Sequence, residues 1–200
     1  VAGRWSGPGW ELAVQTGSLR VEDLPAFITR KLPLLQDFSS QGGIRLRGRL
    51  SGGATLGRAE AQVRIESLTT NNEEGTIATD GLSMSADIEL SMHADELRFD
   101  AELRAAAGQL WRDPVFIDLA AHPLSAKLGG RWRGEAQTLV VDRLEFELQQ
   151  VARGVASAEI ALQDAARLGV VQLTLDQLQF PAAYTLLLQP FLLETGLREL

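Results

Sequence analysis

The side chains of this chain that could carry chemistry are few and scattered. Its two histidines stand in unrelated contexts, His93 after Met92 at the end of a strand-like run and His122 before Pro123 at a turn. A zinc site needs three or four ligands at short spacing, and with no cysteine in the chain neither histidine has such a set around it. Both read as structural or solvated. No serine sits in a GxSxG elbow, and no GxxxxGK[ST] or strand-borne GxGxxG offers a phosphate cradle. Asn71-Asn72-Glu73-Glu74-Gly75 lacks the alternating ligands and terminal Glu of a calcium loop and reads as a solvated hairpin tip. The four tryptophans, Trp5, Trp10, Trp111 and Trp132, could stack on sugars or bases, yet none lies in a basic, aromatic-interleaved groove of the kind single-stranded nucleic acid needs. They read as core plugs or turn anchors. A hydrolase or saccharide site would need an acid pair and a Trp brought together, and the sequence leaves them scattered. The expectation is of no catalytic residue, no metal and no cofactor.

The elements that must position any site are strands. From Ile44 to Ser51 the run IRLRGRLS sets Ile44, Leu46, Gly48 and Leu50 against Arg45, Arg47 and Arg49, the period of two that marks a half-buried strand. The same alternation puts Ala61, Val63 and Ile65 on one face, then Ile88 and Leu90, then Leu97, Phe99, Ala101 and Leu103, then Val115 and Ile117. It continues through LSAKL, Leu144-Phe146-Leu148 in LEFEL, Ile160 and Leu162 in ASAEIAL, and Leu173 and Leu175 in VQLTLD. The clusters SGGATLG, TTNNEEG, TDG, AAAGQ, RDP, AHP, GGRWRG and VARG between these runs read as hairpin turns. Strands at steady intervals without intervening helices predict a mainly β chain with one large antiparallel sheet, a sandwich or a barrel.

Two stretches depart from that period. In the first, helix 23–35, Asp23 is placed as N-cap and Pro25 in the first turn, with Leu24, Phe27, Ile28, Leu32 and Leu35 on one stripe; Pro33 ends the helix. In the second, helix 181–195, Pro181 opens the helix, Tyr184, Leu187, Leu188, Phe191 and Leu192 form an apolar face, Pro190 kinks it and Gly196 stops it. The two are similar: Pro25-Ala26 matches Pro181-Ala182, Leu32 matches Leu188, and Pro33-Leu34-Leu35 matches Pro190-Phe191-Leu192 after a one-residue insertion. WELAVQT precedes the first and VVQLTLD the second. The whole of 1–200 therefore reads as a β-rich segment of a longer, repetitive protein. Residues 1–38 would end one unit, 39–180 would supply the antiparallel strands of the next, and 181–195 would close it.

Composition narrows the partners. An apolar content of 45%, with 22% charged residues in 200, is enough to bury a sizeable core. The net charge of −7 leaves no electrostatic footprint for nucleic acid or anionic headgroups. No apolar run approaches the roughly 20 residues that span a bilayer, and no signal segment opens the chain at Val1, so an anchor would lie outside it. The absence of cysteine is compatible with an oxidising compartment.

What remains is the apolar face. It can fill a closed sandwich or barrel core, or it can line an open groove for acyl chains. Small residues, Ala61, Ala86, Ala101, Ala126 and Ala158, recur among the large ones and leave room that a packed core would fill. The segments GIRLRGRLSGGATLGRAEAQVRIESLT, GLSMSADIEL, DELRFDAELRAAAGQLWRDPVFIDLAAHPLSAKLGG and QLQFPAAYTLLLQPFLLETGLREL resemble the AsmA-like superfamily of Gram-negative envelope proteins. The resemblance is to its YdbH-like branch, which carries a "dicarboxylate transport" label, and more distantly to TamB. It covers nearly the whole chain, and GQLWRDPVFIDLAAHPL and FPAAYxxxLQPFL carry it most. The resemblance implies a periplasmic protein, anchored in the inner membrane by a segment absent here, whose sheet curls into a trough. Along that trough phospholipid would move between the membranes, with adjacent repeats of the same chain as partners. It implies lipid-facing roles for Ile44, Leu46, Leu50, Val63, Ile65, Ile88, Leu90, Leu97, Phe99, Leu103, Val115, Ile117, Leu144, Phe146, Leu148, Ile160, Leu162, Leu173 and Leu175. A dicarboxylate would want a convergent basic pocket, whereas Arg45, Arg47 and Arg49 alternate along one outward face. The competing expectation is a non-catalytic structural or assembly module of the envelope that recruits a client strand by β-augmentation.

Overall fold

The computed structural model describes residues 2–6, 9–23, 38–53, 56–93, 96–134, 136–161 and 167–190. They form β1 (Ala2–Ser6), β2 (Gly9–Gln15), β3 (Leu19–Arg20), β4 (Phe38–Gly52), β5 (Leu56–Asn72), β6 (Ile77–His93), β7 (Glu96–Arg112), β8 (Val115–Asp118), β9 (Leu124–Arg133), β10 (Thr138–Leu148), β11 (Ala152–Ala161) and β12 (Arg167–Leu178). All belong to one 12-stranded sheet in the order β1-β2-β4-β5-β6-β7-β9-β10-β11-β12, with β3 beside β4 and β8 beside β7. Every pairing is antiparallel, and the sheet is curled but not closed. The expected meander is therefore present as a single open sheet.

Several of the expected turns fall within strands: GGRWRG lies in β9 as far as Arg133, and Ala152–Gly154 of VARG open β11. TDG and AAAGQ lie inside β6 and β7, where Gly81 (φ +59°) and Gly108 (φ +100°) sit at register shifts. Gly42 (φ +146°) and Ser67 (φ +48°) hold the matching shifts in β4 and β5. A bulge adds a residue to one strand and bends it. Here the bulges line up across four neighbouring strands, with Gly42 against the Leu68 backbone and Gly108 against that of Leu82. The sheet gains a crease, and the apolar phase resumes on the same face beyond it: Ile65 is followed by Leu68, and Ala105 by Leu110.

The crease is where the chain packs most densely. Leu82, Ala105 and Leu119 form one buried cluster with Leu68, Met84, Leu110, Ile117 and Leu124 around it. Leu148, Val151 and Ala183 form a second, which Leu186 also joins. Ala183 and Leu186 of this second cluster come from a helix, α1, that starts at Phe180–Ala183, with Pro181 in its first turn as expected, and widens into a π-helical turn over Tyr184–Leu188. The Gln189 N–H donates to the Tyr184 carbonyl; the wider turn stands just ahead of Pro190, which has no N–H to continue the α ladder. Of helix 23–35, only Asp23 falls among the described residues, in a single 3-10 turn at Val21–Asp23; the rest lies outside them. So does the part of helix 181–195 beyond Pro190.

Candidate functional site: the apolar face

Register turns the alternating strands into rows. Read across the sheet, one row runs Leu12, Leu50, Ala59, Leu90, Phe99, Gly130, Val141, Ala158, Val171. The next runs Val14, Gly48, Ala61, Ile88, Ala101, Leu128, Leu144, Ala156, Leu173. A third holds Leu46, Val63, Ala86, Leu103, Ala126, Phe146, Gly154 and Leu175, and a fourth Ile44, Ile65, Met84, Ala105, Leu124, Leu148, Ala152 and Leu178. No polar side chain interrupts any of them. The rows run along the hydrogen-bonding direction, so the eight steps of about 4.8 Å between the nine residues of the longest rows make a path of roughly 38 Å.

Of the residues singled out from sequence, fourteen stand in these four rows: Ile44, Leu46, Leu50, Val63, Ile65, Ile88, Leu90, Phe99, Leu103, Leu144, Phe146, Leu148, Leu173 and Leu175. Leu97 and Ile160 fall in a shorter fifth row with Met92, Trp132 and Leu139. Val115 and Ile117 lie off the rows in β8, where Ile117 packs against both buried clusters. Leu162 lies outside the described residues. Sequence reasoning passed over Leu12, Val14 and Leu128, although each alternates in phase, and Val141, which a bulge ahead of Leu144 brings to the same face. It also assigned Gly130 and Gly154 to turns, and these have a distinct role. A Cβ at Gly130 would come within 2.6 Å of Phe99 Cζ, and one at Gly154 within 3.2 Å of Phe146 Cζ. Each ring therefore lies across the glycine opposite it, which keeps the two phenyl groups low on the face.

No second layer covers the rows among the described residues. The large side chains that are fully buried, Leu119 and Val151, are both in turns. Row members such as Leu46, Val63, Ile88, Phe99 and Leu103 are half-buried, the degree that lateral neighbours alone provide. α1 covers only the end of the face near Leu124 and Leu148. At the β12 edge the rows emerge into solvent, with Leu173 60% and Leu175 45% exposed.

The opposite face is held by ion pairs. Glu96 receives Arg98 at 2.9 Å, Arg133 at 3.6 Å and Arg131 at 4.0 Å. The hydrogen bond from Arg98 leads in holding its carboxyl below the usual range, with the charges of Arg98, Arg131 and Arg133 adding to it. Stability from this group is therefore complete above the ordinary Glu value of about 4.3 and is lost as pH falls through the lower folded value. Glu96→Gln should melt below the wild type at neutral pH, and thermal melts on descending pH should show the gap closing below about pH 4.

A depression of about 400 Å³ also opens on the charged face. There Arg104, Lys127, Arg143 and Arg153 are matched by Glu102, Glu145, Glu147 and Asp176, so a dianion would gain no net attraction. His122 Nδ1 stands 3.1 Å from the Gln149 carbonyl and ties the turn before β9 to the one after β10, a structural role. No described helix is long and apolar enough to cross a membrane. No family model, curated protein or solved structure matches the chain. Any assignment of function therefore rests on the geometry of the face and the resemblance in its sequence.

Proposed function

We propose that this chain is a non-catalytic segment of a periplasmic, bridge-like lipid-transfer protein whose apolar sheet face guides phospholipid acyl chains between inner and outer membranes. The observation that carries this reading is the set of four uninterrupted apolar rows left without a covering layer. Each methylene removed from water gains about 0.8 kcal/mol, and one side of an acyl chain laid on the rows would gain roughly half of that. Such a surface holds lipid less firmly than a bilayer does, which favours passage over storage. A path of roughly 38 Å also exceeds the roughly 15 Å depth of one leaflet's hydrocarbon, so a lipid has room to slide. Inner-membrane anchoring through another segment, and adjacent repeats continuing the sheet, belong to the same reading.

Native mass spectrometry of protein purified without detergent tests it, and the expected result is co-purifying phospholipid. A lipid-free spectrum, together with no extraction of fluorescent phospholipid from donor vesicles, would refute it. A structural or assembly module is the second reading. It is favoured by β12, an edge strand among the described residues with Val170 70% and Val171 49% exposed, which suits strand addition. Crosslinks from β12 to a protein strand, with no lipid bound, would select it.

A further inference from the structure

Beyond the crease, the charged face carries an aromatic pair. Trp111 and Phe116 are cross-strand partners in the β7–β8 hairpin, with ring centroids 6.1 Å apart and planes at 55°. They are 40% and 39% exposed. Their side chains point away from the core, because the alternate positions Leu110 and Ile117 are the ones packed against Leu82, Ala105 and Leu119. Two residues along the strands on the same face, Gln109 stands between Asp80 of β6 and Asp118 of β8. Three hydrogen-bonding side chains thus lie in a line about 7 Å from the aromatic pair, with the outer carboxylates about 10 Å apart. Thr69 Oγ1 donates to Asp80 Oδ1 at 3.2 Å, and the Ala120 N–H to Asp118 Oδ1 at 2.9 Å. Each carboxylate is oriented through one oxygen and keeps the other for a further donor.

We infer that this surface is a saccharide platform for uncharged or amino sugars. A pyranose offers an apolar C–H face, which suits an exposed indole, and a rim of hydroxyl donors, which suits two carboxylates and an amide at one-strand spacing. The charge pattern excludes the other candidates for an exposed Trp. None of the described side chains on this stretch of the face is basic, and Arg112, adjacent to Trp111, alternates to the other side. Phosphates and anionic lipid surfaces would meet only Asp80 and Asp118. The platform lies on the face opposite the apolar rows, so it stands or falls apart from the lipid-path proposal.

The whole chain, labelled with 15N, is titrated with N-acetylglucosamine tetrasaccharide and with maltotetraose, and the Trp111 indole N–H resonance is followed. The expected result is a saturable shift with one of them, with a dissociation constant on the order of 1 mM. Trp111→Ala should weaken binding at least about tenfold. Because that change can loosen the hairpin, a second variant, Asp80→Asn with Asp118→Asn, tests the rim without touching the packing. It should weaken binding several-fold while Trp111→Phe retains most of it. The inference is overturned by a linear, unsaturated shift with both sugars, by variants that bind as the wild type does, or by a Trp111-dependent association with anionic phospholipid vesicles in place of sugar.

Discussion

Alanine at Gly108 should destabilise the protein by about 3–5 kcal/mol, from backbone strain and overpacking together. Gly108 sits at φ +100°, and a Cβ there would lie 2.4 Å from Leu82 Cα and 2.6 Å from Leu82 N. Both atoms belong to backbone at the centre of the crease, in the strand that carries Leu82 into the buried cluster with Leu119. They cannot swing aside as a side-chain tip would. Domains of this size have about 5–15 kcal/mol of stability in total, so the loss should be plain in a urea denaturation curve. Gly75 is the control: its φ is +67° but nothing lies within 4 Å of its Cβ position. Gly75→Ala should cost only about 1 kcal/mol, the strain alone. Equal costs at the two positions would mean that the crease relaxes freely and does not fix the bend of the sheet.

Glutamate at Leu103 should weaken acyl-chain binding by at least about tenfold while leaving the fold in place at a cost of about 1–2 kcal/mol. Leu103 is half-buried in the third row, flanked by Ala86 and Ala126. If the row is open, as the burial of its members indicates, the new carboxylate stays in water and only the continuity of the apolar path is lost. Glutamate at Leu119, which is 0% exposed, should behave differently. Desolvating an unpaired charge there should cost more than about 4 kcal/mol. Denaturation curves of the two variants, with bound lipid counted by mass spectrometry, separate the cases. Loss of folding at Leu103 comparable to that at Leu119 would place the row inside a closed core and remove the basis of the lipid path.

Much of this architecture was legible from the residues because side-chain direction in an extended chain is a local property. Successive Cβ atoms point to opposite faces whatever the strand pairs with. Ile44, Leu46 and Leu50 against Arg45, Arg47 and Arg49 therefore announced both the strand and its two faces. Pro181 announced the start of α1 equally well, because its fixed φ and missing N–H suit a first helical turn.

What the tertiary structure decided is everything that depends on a neighbour. TDG and AAAGQ have the composition of hairpin turns, but a glycine at positive φ serves a turn or a bulge equally, and only the pairing of β6 with β5 and with β7 made Gly81 and Gly108 bulges inside long strands. Gly130 and Gly154 became floors beneath Phe99 and Phe146 through cross-strand register, which no local pattern encodes. The scattered Asp80, Trp111 and Asp118 became one surface for the same reason. The sequence alone determined that this protein has a continuous apolar face; that the face forms unbroken rows, and that no described layer covers most of them, followed only from strand order, register and packing.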